Sequence, residues 1–129
     1  MPFKLDSKEK FHVITVEEPE LTASLSDGLC NLAAPILNDA TNRNLILALG
    51  EVQRIELPAA EALARLQASF YESGGSFVIC CLQPGVEKTF ELADLLDLMN
   101  VTPTESEAWD IVQMEEIERE LLGGEEETD

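Results

Sequence analysis

Two apolar runs set what this chain can become: Asn44-Leu-Ile-Leu-Ala-Leu49 and Ser76-Phe-Val-Ile-Cys-Cys-Leu82. Neither alternates apolar with polar residues, so each reads as a strand covered on both faces. Between them lies Pro58-Ala-Ala-Glu-Ala-Leu-Ala-Arg-Leu66 and its continuation, with Ala59, Leu63, Leu66 and Phe70 on one helical stripe. Ser73-Gly-Gly75 ends that stripe with a C-cap signal. A strand, a crossover helix and a second strand make a parallel pair.

The remaining segments extend this unit. Phe3 to Leu5 and the β-branched Phe11-His-Val-Ile-Thr-Val16 read as an opening hairpin around Asp6–Lys10. Ser24-x-x-Asp27 resembles a capping box, and Leu25, Leu29, Leu32 and Ile36 then share one helical face. Pro35 is expected to kink or end that helix near Ala34. After Gln83-Pro-Gly85, residues Val86 to Leu96 read as a helix with Val86, Phe90 and either Ala93 or Leu92 inward. Val101 begins a short strand limited by Pro103. Thr104-Glu-Ser-Glu107 caps a last helix carrying Ala108, Ile111, Met114, Ile117 and Leu121, which Gly123-Gly124 should end. The expected class is therefore α/β: one domain over residues 1–122, with a mixed, mostly parallel sheet of four or five strands and four helices. Residues 123–129 are expected to form an acidic disordered tail.

The 129 residues allow one domain with a real core. The net charge of -18 disfavours nucleic acid and anionic membrane surfaces. Eleven acids and one base, Arg119, lie from Thr104 onward, a pattern expected of a solvated helix face and a frayed tail. Cys30, Cys80 and Cys81 are odd in number and lack metal-ligand spacing, so they read as free thiols in a reducing compartment. The first residues contain no long apolar run, and no segment could span a membrane, so the location is read as cytoplasmic.

No catalytic set emerges, and no cofactor or metal is expected. Gly-Gly pairs end helices instead of starting them, so no phosphate loop exists. His12 has no partner that would make it a base, and Glu17, Glu18 and Glu20 around Pro19 read as a solvated turn. Between Asn42 and Ala68 there is no Ser, Thr, Tyr, His or Cys. The turn from Gly50 to Leu57 joins the C-terminal end of a strand to a helix N-terminus, where open α/β sheets place their sites, yet it offers no nucleophile.

Asn44 to Leu63 resembles the central segment of a STAS domain, the anti-sigma-factor-antagonist family, whose form there is roughly Ile-Leu-Asp-Leu-Ser-Gly-Val-x-x-Ile-Asp-Ser-Ser-Gly-Leu-Gly-Ala-Leu. Four further segments are similar in the right order: Pro19-Glu-Leu-Thr22, Gly74-Gly75 through Val86, Phe90-Glu-Leu-Ala-Asp-Leu95 and Thr104-Glu-Ser-Glu-Ala108. The resemblance covers roughly Phe11 to Leu122. It implies helices packed mainly on one side of a mixed sheet. It also implies a switch, in which a partner serine kinase phosphorylates a Ser at a helix N-terminus and the unphosphorylated form binds that kinase and frees a sigma factor.

This chain departs from the pattern at that Ser. Glu56 matches the family Asp, Leu57 replaces the phospho-acceptor Ser, Pro58 replaces the next Ser, and Ala59 and Glu61 replace the glycines. Either Leu57 packs inward and the site is dead, or Leu57-Pro58-Ala59 is a permanent apolar docking patch. The resemblance thus implies a non-enzymatic regulator that binds an anti-sigma factor or serine-kinase-like protein without phosphorylation at the usual site. Glu56, Leu57, Pro58 and Ala59 are the expected contacts, with Glu20 and Thr22 on the neighbouring loop. The rival is an accessory subunit of a lipid-transport ABC complex, and homodimer formation is left open.

Overall fold

The computed structural model of the protein describes residues 2–39 and 42–122. The strands are β1 (Phe3–Ser7), β2 (His12–Val16), β3 (Glu20–Leu21), β4 (Asn44–Ala48), β5 (Arg54–Ile55), β6 (Ser76–Cys80) and β7 (Val101–Thr102). The helices are α1 (Ala23–Leu37), α2 (Leu57–Glu72), α3 (Pro84–Leu92) and α4 (Glu105–Thr128), with a 3-10 turn at Leu96–Leu98. The main sheet runs β1-β2-β4-β6-β7, and β3 and β5 form a separate two-stranded sheet. β1 pairs antiparallel with β2, and every other neighbouring pair is parallel.

Every residue of β4 and β6 is buried. Their side chains point alternately into two cores, as a pleated strand requires. Leu45, Leu47, Leu49, Phe77 and Ile79 join the larger core, which α1, α2 and α3 close with Leu29, Leu63, Phe70, Val86 and Phe90. Ile46, Ala48, Val78 and Cys80 face the smaller core, sealed by Ala108 and Val112 of α4. Helices therefore lie mainly on one side, as the family resemblance implies.

Several boundaries differ from expectation. α1 starts at Ala23 and is capped by Thr22, whose Oγ1 accepts from the Leu25 N–H at 3.1 Å, while Ser24 sits inside the first turn. Pro35 falls in the last turn, and the helix runs on to Leu37 before stopping. The helix after Gln83 ends at Leu92, so Val86 and Phe90 are buried while Leu92 is exposed. The acidic tail expected over residues 123–129 lies outside the described residues.

The inner face of α4 is the main correction. Ala108 is buried as expected, but Met114, Ile117 and Leu121 are exposed. Beyond Val112 the helix turns polar residues inward, because β4 and β6 begin with the buried polar residues Asn44 and Ser76. Arg119 donates to Asn44 Oδ1 at 3.1 Å and Ser76 Oγ at 2.9 Å, and Glu116 accepts from Asn44 Nδ2 at 2.9 Å. Next to them the Tyr71 hydroxyl donates to Glu115 at 2.8 Å. Burial, and then that hydrogen bond, pushes the Tyr71 phenol above its ordinary range. Unpaired buried polar groups cost more than made hydrogen bonds return, so these partners set the helix rotation.

The connection from α2 to β6 is equally constrained. Gly74 has a φ of 87°, the left-handed region open to glycine, and the Gly75 N–H bonds the Phe70 carbonyl at 2.8 Å. A Cβ on Gly75 would lie 1.9 Å from the Arg43 carbonyl oxygen, where the chain enters β4. Backbone meets backbone there, and no rotamer change relieves it. We expect Gly75→Ala to lower stability by about 2 kcal/mol or more, read as a fall in urea midpoint with an unchanged slope.

Candidate functional site

The C-terminal ends of the parallel strands hold the loops that the sequence singled out. After β4 the chain turns at Gly50 and Glu51, with Val52 N–H bonded to the Leu49 carbonyl and its side chain buried as an anchor. It then runs alongside the loop before α1. The Gln53 and Arg54 N–H groups both bond the Pro19 carbonyl, at 2.8 and 3.1 Å. Glu20 pairs with Arg54 and Leu21 with Ile55 in the short β3–β5 ladder, and Glu56 N–H closes it on the Leu21 carbonyl at 3.0 Å. Leu21 and Ile55 are buried and fasten this ladder to the larger core.

Glu20, Thr22 and Glu56 are thereby brought together. Glu56 stands at the N-cap of α2 but does not cap it with its side chain. Its Oε1 instead accepts from the Ala23 N–H at 2.8 Å, at the first turn of α1. Thr22 and Glu56 thus satisfy two of the orphan donors of α1 between them, and the carboxylate meets the positive end of that helix dipole. Glu20 lies 3.9 Å from the exposed Arg54 side chain. The third helix start is tied in as well. Gln83 Nε2 donates to the Gly50 carbonyl at 2.8 Å, and a Cβ on Gly85 would be 2.5 Å from the Gln53 carbonyl oxygen.

Leu57 and Pro58 open α2 in the middle of this cluster. Leu57 is 50% exposed, so it does not pack inward. Pro58 is exposed in the first helical turn, where its missing N–H costs no hydrogen bond. Ala59 is fully buried, so it supports the patch from below without lining it. The result is an exposed Leu-Pro tip, with the exposed Glu56 just before it and the exposed Glu61 one helical turn after Leu57. Nearby hydroxyls are largely committed. Thr22 caps α1, and the buried Ser26 donates to the Ala23 carbonyl at 2.7 Å, which leaves Ser24 exposed.

The cluster around Leu57 holds no nucleophile–base pair; His12, read from sequence as lacking a partner, meets Ser7 Oγ at 2.8 Å and lies 3.9 Å from Asp39 at the other end of β2. Among the described residues no group of three or more His, Cys, Asp or Glu side chains is placed to hold a metal ion. All three cysteines are free thiols. Burial, and then its hydrogen bond with Cys81, pushes the Cys80 thiol well above its ordinary range, which suits a packed residue and not a thiolate ligand. Among the described residues no helix is long and apolar enough to cross a membrane.

Comparison with known proteins places this geometry. The family model for the STAS domain matches residues 5–108, and the chain belongs to that family. Among solved structures it is similar to an anti-sigma factor antagonist from Thermotoga maritima, at 20% identity and a TM-score of 0.72, covering 86% of this chain and 94% of that one. It is also similar to the anti-sigma factor antagonist SpoIIAA in its unphosphorylated form, at 18% identity and a TM-score of 0.69, covering 86% and 96%. A further likeness, at 20% identity and a TM-score of 0.69, is to the murine anion transporter Slc26a9, of which the matched part is 18%. No curated protein sequence matches the chain.

The β3–β5 ladder and the reach of Glu56 to α1 escaped sequence reading. A two-residue strand has no period to detect, and the only local sign was the turn chemistry around Pro19. Replacing Glu56 by Ala removes an acceptor at a helix start, so we expect a loss of about 1 kcal/mol in urea unfolding. Faster hydrogen exchange at the Ala23 amide should accompany it, with α2 amides little changed.

Proposed function

We propose that the protein is a non-enzymatic binding module of a partner-switching pathway, an anti-sigma-factor antagonist or a related adaptor. Its partner is an anti-sigma factor of the serine-kinase type, and the two meet in the cytoplasm. The single observation that carries this reading is the exposure of Leu57, which the family resemblance sets at the position of the phospho-acceptor Ser. A large apolar side chain displayed at an ordered helix start gains free energy when a partner covers it. Membership of the STAS family and the likeness to anti-sigma factor antagonists support the choice of partner. The contacts are Leu57 and Pro58, with Glu56, Glu20 and Thr22 shaping the rim and Ala59 beneath.

Binding of this kind is not switched by phosphate at the usual place. Phosphorylation of the family Ser adds a charge of about -1.5 to -2 at the contact, and Leu57 has no oxygen to receive it. Partner exchange must then depend on concentration or on the partner's own state. The test is to mix the purified protein with anti-sigma kinases of its host and follow complex formation with and without ATP. A complex that ATP leaves intact is expected, with no phosphate on residues 43–68. Leu57→Glu should weaken it by about tenfold or more, and Leu57→Ser should make it sensitive to ATP. Phosphate on Ser24 that dissolves the wild-type complex would overturn the unswitched reading, and no binding to any such kinase would overturn the choice of partner.

A further inference from the structure

A second surface lies on α4, on the opposite face of the sheet from α2. Asp110, Met114, Ile117 and Leu121 follow at spacings of four, three and four, which sets them in one stripe. The stripe faces away from the sheet, since Ala108, Val112 and Arg119 occupy the inner side. Met114, Ile117 and Leu121 are 61%, 56% and 65% exposed. Beside the stripe lies an open cleft of about 300 Å3, lined by Lys10, Trp109, Gln113, Glu116, Ile117 and Glu120. Trp109 is held in place by stacking on Phe11 at a centroid distance of 4.4 Å.

The charge around this stripe is of one sign. Arg119 is the one base of α4, and its guanidinium is turned inward onto Asn44 and Ser76. Lys10 lies 3.5 Å from Glu116 and is paired with it. Glu107, Asp110, Glu118 and Glu120 are exposed on the outer side. An apolar row between acidic flanks is the complement of a helix with an apolar row between basic flanks.

We propose that this face of α4 docks a basic amphipathic helix of a partner protein, with a large apolar side chain seated between Trp109 and Ile117. Lysines or arginines flanking that anchor meet Glu107, Glu118 and Glu120. A second copy of this chain would set acids against acids, and an anionic lipid surface would be repelled in the same way. The inference stands apart from the Leu57 patch and does not depend on it.

The probe is a synthetic helical peptide with leucines on one face and lysines on the rest, set against a scrambled peptide of identical composition. Binding is read from the emission of Trp109, the one Trp of the chain, and from the anisotropy of a labelled peptide. The amphipathic peptide should bind at least about tenfold more tightly than the scrambled one. Ile117→Glu and Leu121→Glu should each remove most of that difference, and Glu118→Lys with Glu120→Lys should weaken binding and flatten its salt dependence. Leu57→Glu should leave it unchanged. These positions are exposed, so far-UV circular dichroism should show the variants folded. Equal binding of both peptides, insensitivity to Ile117→Glu, or a dimer in sedimentation that Ile117→Glu dissociates would each overturn the proposal.

Discussion

The covering of β4 and β6 on both faces is the constraint on which the rest of the molecule depends. All of their residues are buried. A parallel pair of this kind cannot end a sheet, so β2 and β7 flank it, and it cannot stand in a single layer, so helices cover both sides. Three helices close one face, and α4 alone closes the other. The loops that leave the C-terminal strand ends then have one place to go. They gather at the starts of α1, α2 and α3, where the protein's exposed Leu-Pro tip is displayed.

The two edges of the sheet divide the work. At the N-terminal edge, Asn44 and Ser76 are buried polar residues whose needs Arg119 and Glu116 meet. That edge is occupied with holding α4 at one rotation. At the C-terminal edge, the backbone satisfies itself through the β3–β5 ladder and the Pro19 carbonyl. Leu57 and Pro58 are left exposed there.

Much of this was legible in the sequence because apolar periodicity reports burial. The unbroken runs at 44–49 and 76–82 gave the central strands, and the stripe Ala59, Leu63, Leu66, Phe70 gave α2 with its buried face. The Thr104 cap was legible too, and its Oγ1 accepts from the Glu107 N–H at 3.2 Å. Periodicity failed where polar groups decide. Ile111 packs on the smaller core as its stripe predicts, but Met114, Ile117 and Leu121 only mimic its continuation, because the buried needs of Asn44 and Ser76 draw Arg119 inward and leave them in solvent. A capping pattern at Ser24 misled for a related reason. Thr22 lies one step outside α1 with an extended backbone, and there its Oγ1 reaches the Leu25 N–H. At the candidate site, residue identity at Leu57 was plain from sequence, but its exposure came only from the structure.

The β3–β5 ladder has a kinetic consequence. Because backbone hydrogen bonds fix β5, which leads to Leu57, against β3, which leads to α1, the tip is ordered when the domain folds. Little conformational entropy remains to be lost on association. Encounter should therefore proceed close to rigid-body docking, and substitutions at the tip should act on how long a complex lasts more than on how fast it forms. On the proposed function, association at such a tip is tuned through residence time.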